Sequence, residues 1–225
     1  MFSYYGRKTK TVSYYPKPKY DIIIEPFAGS AVYSLYQDNW EKQVILVDKY
    51  ELIIKLWKYL SRSNYNEIIS LPDLELRQDI RKLNLPIELR WLVGFYINQG
   101  SSRPKNIVQK WGARDWYRNR RYVAHSIYKI KHWEFIHGEY NSIKNIKATW
   151  FIDPPYQHGN KYYTESTIDY KELKDWLCEL KGQVIVCENT KADWIKIQPL
   201  KVLHGQLHKT VEGIHYREND VPNKT

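Results

Sequence analysis

The sequence predicts an α/β domain whose mostly parallel sheet is interrupted by a basic helical insertion. Three observations lead there: two strand–turn–helix units open the chain, a charge-rich helical stretch follows, and apolar strands then resume. In the first unit, "YDIIIEPFAGSAVYSLY" (20–36), a short buried strand enters a turn of small residues and then a helix. The second, "KQVILVDKYELIIKLWKYL" (42–60), has Val44–Val47 as strand and a helix from Tyr50 onward. "PIELRWLVGFYINQG" (86–100) reads as a helix that stops at Gly100. Later, "KATWFID" (147–153) is a strand, "DYKELKDWLCELKG" (169–182) a helix closed by Gly182, and "QVIVCEN" (183–189) a strand. Leu200–His204 and Val211–Tyr216 form a C-terminal β-hairpin. Residues 1–61 and 134–225 thus make the α/β body, and 62–133 the insertion.

A chain of 225 residues can bury a full core without disulfides. Its two cysteines, Cys178 and Cys187, lack CxxC spacing and read as buried thiols of a reducing compartment. Nothing resembles a signal peptide or an 18-residue apolar run, so neither secretion nor membrane insertion is expected. The net charge of +10 is concentrated. Between Arg103 and Lys131 there are nine Lys or Arg residues and one acid, Asp115, interleaved with Trp111, Trp116, Tyr117, Tyr122 and Tyr128. Basic charge mixed with aromatic rings suits nucleic acid, although a solvated helix face would also carry charge. Wound as one helix over 114–132, the stretch places Arg114, Arg118, Arg121, His125 and Lys129 on one face, with Val123, Ile127 and Ile130 opposite.

"EPFAGSAV" (25–32) sets small residues at a strand-to-helix turn, where a ligand can approach the backbone. Asp48 lies 19 residues past Gly29, at the end of the second strand, where an acid can meet ribose hydroxyls. There is no complete GxGxxG and no P-loop, which favours a nucleoside-like ligand without phosphates over a dinucleotide. The seven histidines show no metal-ligand spacing such as HExxH, and no metal site is expected.

The most telling stretch is "WFIDPPYQHG" (150–159), in which an apolar strand ends on Asp153, Pro154, Pro155 and Tyr156. With "YYGRK" (4–8) and "EPFAGS" (25–30) before it, and the basic stretch between, the chain resembles the Dam-type adenine-specific DNA methyltransferases over essentially its whole length. It is most like the short forms found in bacteriophages and prophages. The resemblance implies a Rossmann-like methyltransferase fold, S-adenosylmethionine as cofactor, and DNA, most naturally double-stranded, as substrate. The setting it implies is the cytoplasm of a bacterium or phage-infected host, with protection against restriction one possible role. No oligomeric state follows from it. Tyr4, Gly6 and Lys8 would belong to the first cofactor-contacting motif, and Glu25, Phe27 and Gly29 to the turn beside the methionine portion. Asp48 would meet the ribose, and Glu139 and Tyr140 the adenine of the cofactor. Arg114, Arg118, Arg121 and Lys129 would contact DNA. Ala31 stands where the family pattern FxGxG has its second glycine, and the insertion is short.

The chemistry explains the DPPY residues. An exocyclic amine of a base is a poor nucleophile because its lone pair is delocalised into the ring. The Asp153 carboxylate and the Pro154 C=O could each accept one of its N–H groups and favour the pyramidal form. The two prolines fix the backbone and remove competing donors. Tyr156 could stack on a base turned out of its helix. Tyr162 and Tyr163, in the polar segment that follows, could line the pocket, fill the gap left by the base, or pack on the body. Glu188 and Asn189 read as structural. Adenine N6 is the expected acceptor. Cytosine N4, RNA, and a non-catalytic DNA-binding protein on the same fold are the alternatives.

Overall fold

The computed structural model describes residues 1–97, 100–158, 168–204 and 209–219. Seven strands form one sheet: β1 (Ile22–Glu25), β2 (Gln43–Asp48), β3 (Glu134–His137), β4 (Ala148–Ile152), β5 (Gly182–Asn189), β6 (Gln198–His204) and β7 (Lys209–Asn219). Across the sheet they lie in the order β3-β2-β1-β4-β5-β7-β6. The pairs among the first five are parallel, and β7 runs antiparallel to both β5 and β6. The chain is therefore an α/β protein on a mostly parallel mixed sheet that closes with a β-hairpin. The order 3-2-1-4-5 is that of doubly wound nucleotide-binding sheets, and it reverses between β1 and β4.

The central strands are continuous apolar runs because both faces of the sheet are covered. Alternate side chains point to opposite faces. Ile23, Val44, Leu46, Phe151, Ile185 and Cys187 join one apolar cluster, and Ile24, Ile45, Val47, Trp150, Ile152, Val184 and Val186 the other. Helix α1 (Glu51–Arg62) covers the first face with Ile53, Leu56, Trp57 and Leu60. The later helix α5 (Tyr170–Glu179) covers the second with Leu173 and Leu177. Between α1 and β3 come α2 (Tyr65–Ile69), α3 (Ile87–Tyr96) and α4 (Gly112–Ser126). Ile68, Leu92, Phe95, Trp116, Val123 and Ile130 from this stretch pack into the same cluster as Trp57 and Phe2, so the insertion shares the core of the body.

Several expected elements differ. The helix expected after the 25–30 turn is a series of turns through residues 31–38. Ala31 and Gln37 both adopt left-handed backbone (φ 46° and 48°), which ends a helix on either side. Tyr33 is instead tied sideways, its hydroxyl donating to Pro16 O at 2.7 Å and its C=O accepting from the Asn39 amide at 2.8 Å. Helix α3 stops at Tyr96, short of Gly100, because the backbone of Gly112 packs directly on Ile97. Helix α5 ends at Glu179, and Gly182 opens β5. At that glycine (φ +98°) a Cβ would sit 2.4 Å from Ala148 O, so a close strand approach, and not a helix stop, requires it. The single helix expected over 114–132 is α-helical only to Ser126, then a 3₁₀ turn over Ile127–Ile130. Three-residue winding puts Ile127 and Ile130 together on the buried side. Edge strand β3 was not foreseen; of its residues, Glu134 and His137 are exposed. Cys187 is buried as expected, but Cys178 lies exposed on the outer side of α5.

Candidate active site

Parallel strands bring their C-terminal ends to one edge. Glu25, Asp48 and His137 end β1, β2 and β3 there, Asp153 follows β4, and Glu188 and Asn189 end β5. Because β7 is antiparallel, it enters from the same edge, and Glu212 near its start pairs with Asn189. A crevice outside the strand ends, where the winding reverses, is the usual ligand position of such sheets.

Tyr4, Gly6, Lys8, Glu25 and Phe27 line one cavity at this edge together with Gly29, Asp48, Glu139 and Tyr140, so every residue expected to hold the cofactor faces it. Asp153 and Pro155 border it as well. Gly29 is left-handed (φ +42°), and a Cβ there would lie 3.1 Å from the Tyr4 ring. Its N–H donates to Asp48 Oδ2 at 3.0 Å, while Trp57 Nε1 donates to its C=O at 2.9 Å. Asp48 Oδ1 accepts from Tyr50 N at 2.9 Å. Burial pushes the Asp48 carboxyl up to about 6, against the lowering effect of these N–H donors. Phe27 and Tyr140 stack with ring centroids 5.5 Å apart, forming one apolar wall. At the rim Glu139 pairs with Lys49 at 2.7 Å. Glu25 is fully withdrawn from water, accepts from Ser34 N at 2.8 Å, and is raised to about 8 by burial.

Lys8 joins the N-terminal motif to the DPPY residues. Its buried Nζ lies 2.7 Å from Asp153 Oδ1, 3.7 Å from Glu212 Oε1 and 4.5 Å above the Tyr156 ring. Desolvation raises Asp153 to about 6; the Lys8 ammonium opposes that shift and Glu212 adds to it. Tyr156 and Tyr15 each donate a hydroxyl to Glu212 Oε1 at 2.5 Å. Tyr170 OH donates to the C=O of Pro155, at 2.8 Å, and not to that of Pro154. Glu188 holds the following turn, accepting from Gln157 N, Asn189 N and Trp194 Nε1.

On the far side of Lys8 a second cleft is lined by Tyr156, His158, Asn189 and Glu212. The segment Tyr4–Lys8 forms a wall of both cavities. The insertion reaches this wall, since Tyr5 N donates to Ser101 O at 3.2 Å and Gly100 borders the second cleft. Tyr162 and Tyr163 lie outside the described residues. No group of three or more His, Cys, Asp or Glu among the described residues could hold a metal ion. Nor is any described helix long and apolar enough to cross a membrane.

Helix α4 docks by its buried residues. Trp116 Nε1 donates to Pro72 O at 2.9 Å, and Arg120 donates to Leu71 O while pairing with Asp73 at 2.8 Å. Its outer side exposes Arg114, Tyr117, Arg118, Arg121, Tyr122 and His125 at helical spacing. Lys129 leaves this stripe, because the 3₁₀ turn carries its Nζ over the Trp40 ring at 5.3 Å.

Sequence reading missed Glu212 and Tyr15. The available signal was an acid two residues from an apolar strand position, Ile214, and therefore on the same inward face. Family models matched to the chain give no hit, and a search of curated proteins finds no match.

Proposed function

We propose that the protein transfers a methyl group from S-adenosylmethionine to the N6 amine of adenine in DNA, as its resemblance to the Dam-type methyltransferases implies. The observation that carries this reading is the convergence of three motifs far apart in sequence, Tyr4–Lys8, Glu25–Gly29 and Asp153–Tyr156, on one sheet edge with a cavity to either side. Two features of the first cavity support a nucleoside-bearing cofactor. Each Asp48 oxygen accepts one backbone N–H and keeps lone-pair capacity for a ribose hydroxyl. The stacked Phe27 and Tyr140 rings give a flat apolar wall, and the turn sequence "EPFAGSAV" is neither a complete GxGxxG nor a P-loop. Where the cavities meet, two carboxylates face a single ammonium, a balance that favours a cationic ligand.

When bound, S-adenosylmethionine supplies an electrophilic methyl on a sulfonium. The protein's part is positioning. Asp153, which borders the first cavity, accepts an N–H of the amine and stabilises its pyramidal form. Pro154, expected from the sequence to supply the second acceptor, is buried and lines neither cavity. Tyr156 stacks on the base in the second cleft. Arg114, Arg118 and Arg121 on α4 contact phosphates of duplex DNA, and the aromatic residues between them pack on the sugar–phosphate surface. The test is incubation of unmethylated DNA with the protein and isotope-labelled S-adenosylmethionine, followed by digestion to nucleosides and mass spectrometry. Labelled N6-methyladenine is the expected product. Labelled N4-methylcytosine would keep the mechanism and change the substrate, and label found only when RNA replaces DNA would change the polymer. No label in any nucleoside from a folded, cofactor-binding protein would contradict the reading.

A further inference from the structure

We infer that Glu212 is a positioning residue, which sets the tilt of the Tyr156 ring and the place of the Lys8 ammonium and, through them, the availability of Asp153. The inference rests on the methyl-transfer reading. Glu212 comes from β7, 56 residues beyond the DPPY turn, and is 5% exposed. A single oxygen, Oε1, gathers the hydroxyls of Tyr156 and Tyr15 at 2.5 Å each and faces the Lys8 ammonium at 3.7 Å.

The prolines make the DPPY backbone rigid, but they leave the Tyr156 ring free to turn about its side-chain bonds. Its far end is fixed by the phenol bond to Glu212. Burial, with Asp153 nearby, keeps that phenol protonated, so it remains a donor. The second hold is electrostatic. Lys8 carries one charge and stands between two carboxylates, with Asp153 the nearer. Glu212 draws on the same ammonium, which leaves Asp153 partly uncompensated and able to accept from a substrate N–H. Tyr15 braces the arrangement from the side, its ring edge-on to Phe151 of β4 at 5.2 Å. A buried acid that merely completed the core would need only an acceptor for two phenols, which a glutamine also offers.

Two substitutions separate charge from reach. Asp153 is faced by Lys8, by Tyr15, by Glu25 of β1, by its neighbour Tyr156, by Cys187 and Glu188 of β5, and by Glu212 of β7. Glu212→Gln keeps an acceptor oxygen and removes the charge. The acid limb of kcat should then move to lower pH by about half a unit or more, since Asp153 loses a like charge. Glu212→Asp keeps the charge and shortens the reach by one methylene. It should lower kcat about tenfold, leave the acid limb in place and change the cofactor KM less than about threefold. Wild-type kcat and an unmoved acid limb in both variants would overturn the inference. So would failure of both to fold, which would make Glu212 a core residue alone. A wild-type protein that labels no nucleoside would bring down the methyl-transfer reading itself, and the inference with it. Transfer by the wild type that is unaffected in both variants would bring down the inference only.

Discussion

At the C-terminal edge of the sheet Lys8, Asp153 and Glu212 are largely withdrawn from water, whereas on α4 the side chains of Arg114 and Arg118 stand in it, 70% and 72% exposed. Both regions are rich in charge, yet they use it differently. In the buried cluster the effective dielectric is low, so a displacement of one ångström changes protonation and hydrogen bonding together. On α4, solvent and salt screen each charge within about 10 Å, and the stripe works as a sum of weak, replaceable contacts. Single substitutions should therefore be severe at the edge and graded on the helix.

The largest effect is expected at Asp153. Asp153→Ala should reduce methyl transfer on the order of 10²–10³-fold, the cost of removing one preorganised hydrogen-bonding group, with cofactor binding retained. Labelled transfer at saturating cofactor and DNA, beside a calorimetric titration of S-adenosylmethionine, measures both. Transfer at the wild-type rate would show that the buried carboxylate has no part in the chemistry.

pH sharpens the contrast. Asp153 must be ionised to accept, and its carboxyl is raised to about 6, so transfer should fall about tenfold per unit as pH drops below that value. Stability should run the other way. The folded-state value lies above the unfolded value of about 3.9, so the native protein holds the extra proton between about pH 4 and pH 6. The contribution of this group to stability is therefore lost as pH rises through that window. Relative to Asp153→Asn, the wild-type Tm should decline from pH 4 to pH 6 and run parallel above it. Parallel curves throughout would mean that Asp153 titrates normally.

Gly29→Ala comes next. It forces an alanine into left-handed backbone and brings its methyl against the Tyr4 ring. A cost of about 1–2 kcal/mol in stability is expected from the backbone alone, with weakened cofactor binding. Thermal melting and calorimetry read the two effects, and unchanged values for both would move the cofactor away from this turn.

The smallest effects belong to α4. Replacing Arg114, Arg118 or Arg121 by Ala should change stability by less than about 0.5 kcal/mol. Each should also lower the slope of log affinity against log salt by about 0.9 per lost phosphate contact. Unchanged slopes in all three variants would put DNA elsewhere on the surface. Because Lys129 is drawn to Trp40, its substitution should leave the slope unaltered.

The same contrast governs what could be read from the sequence. Apolar runs such as Val44–Val47 of β2, Trp150–Ile152 of β4 and Val184–Cys187 of β5 announce themselves, because a strand buried on both faces is apolar at successive positions. The turn at Gly29, Asp48 and the DPPY residues were legible because local chemistry marks them. What escaped reading depended on distant partners. Residues 31–36 have helical composition, but left-handed Ala31 and the Tyr33 bond to Pro16 override it. Ala31 holds a left-handed backbone, the conformation that glycine adopts most easily, and so breaks the helix that its neighbours would favour. Glu212 looks like an ordinary strand acid until β7 is known to enter from the edge where Asp153 ends. Its partners Tyr15 and Tyr156 lie 197 and 56 residues away, beyond any local pattern.

The most direct test of the account is a crystal structure of the protein with S-adenosylhomocysteine. The ribose hydroxyls should lie on Asp48, the nucleoside ring along Phe27 and Tyr140, and the sulfur facing Asp153 from the first cavity, with the second cleft left open beyond Lys8. Density for the ligand at any other place, or none from a protein that binds it in solution, would contradict it.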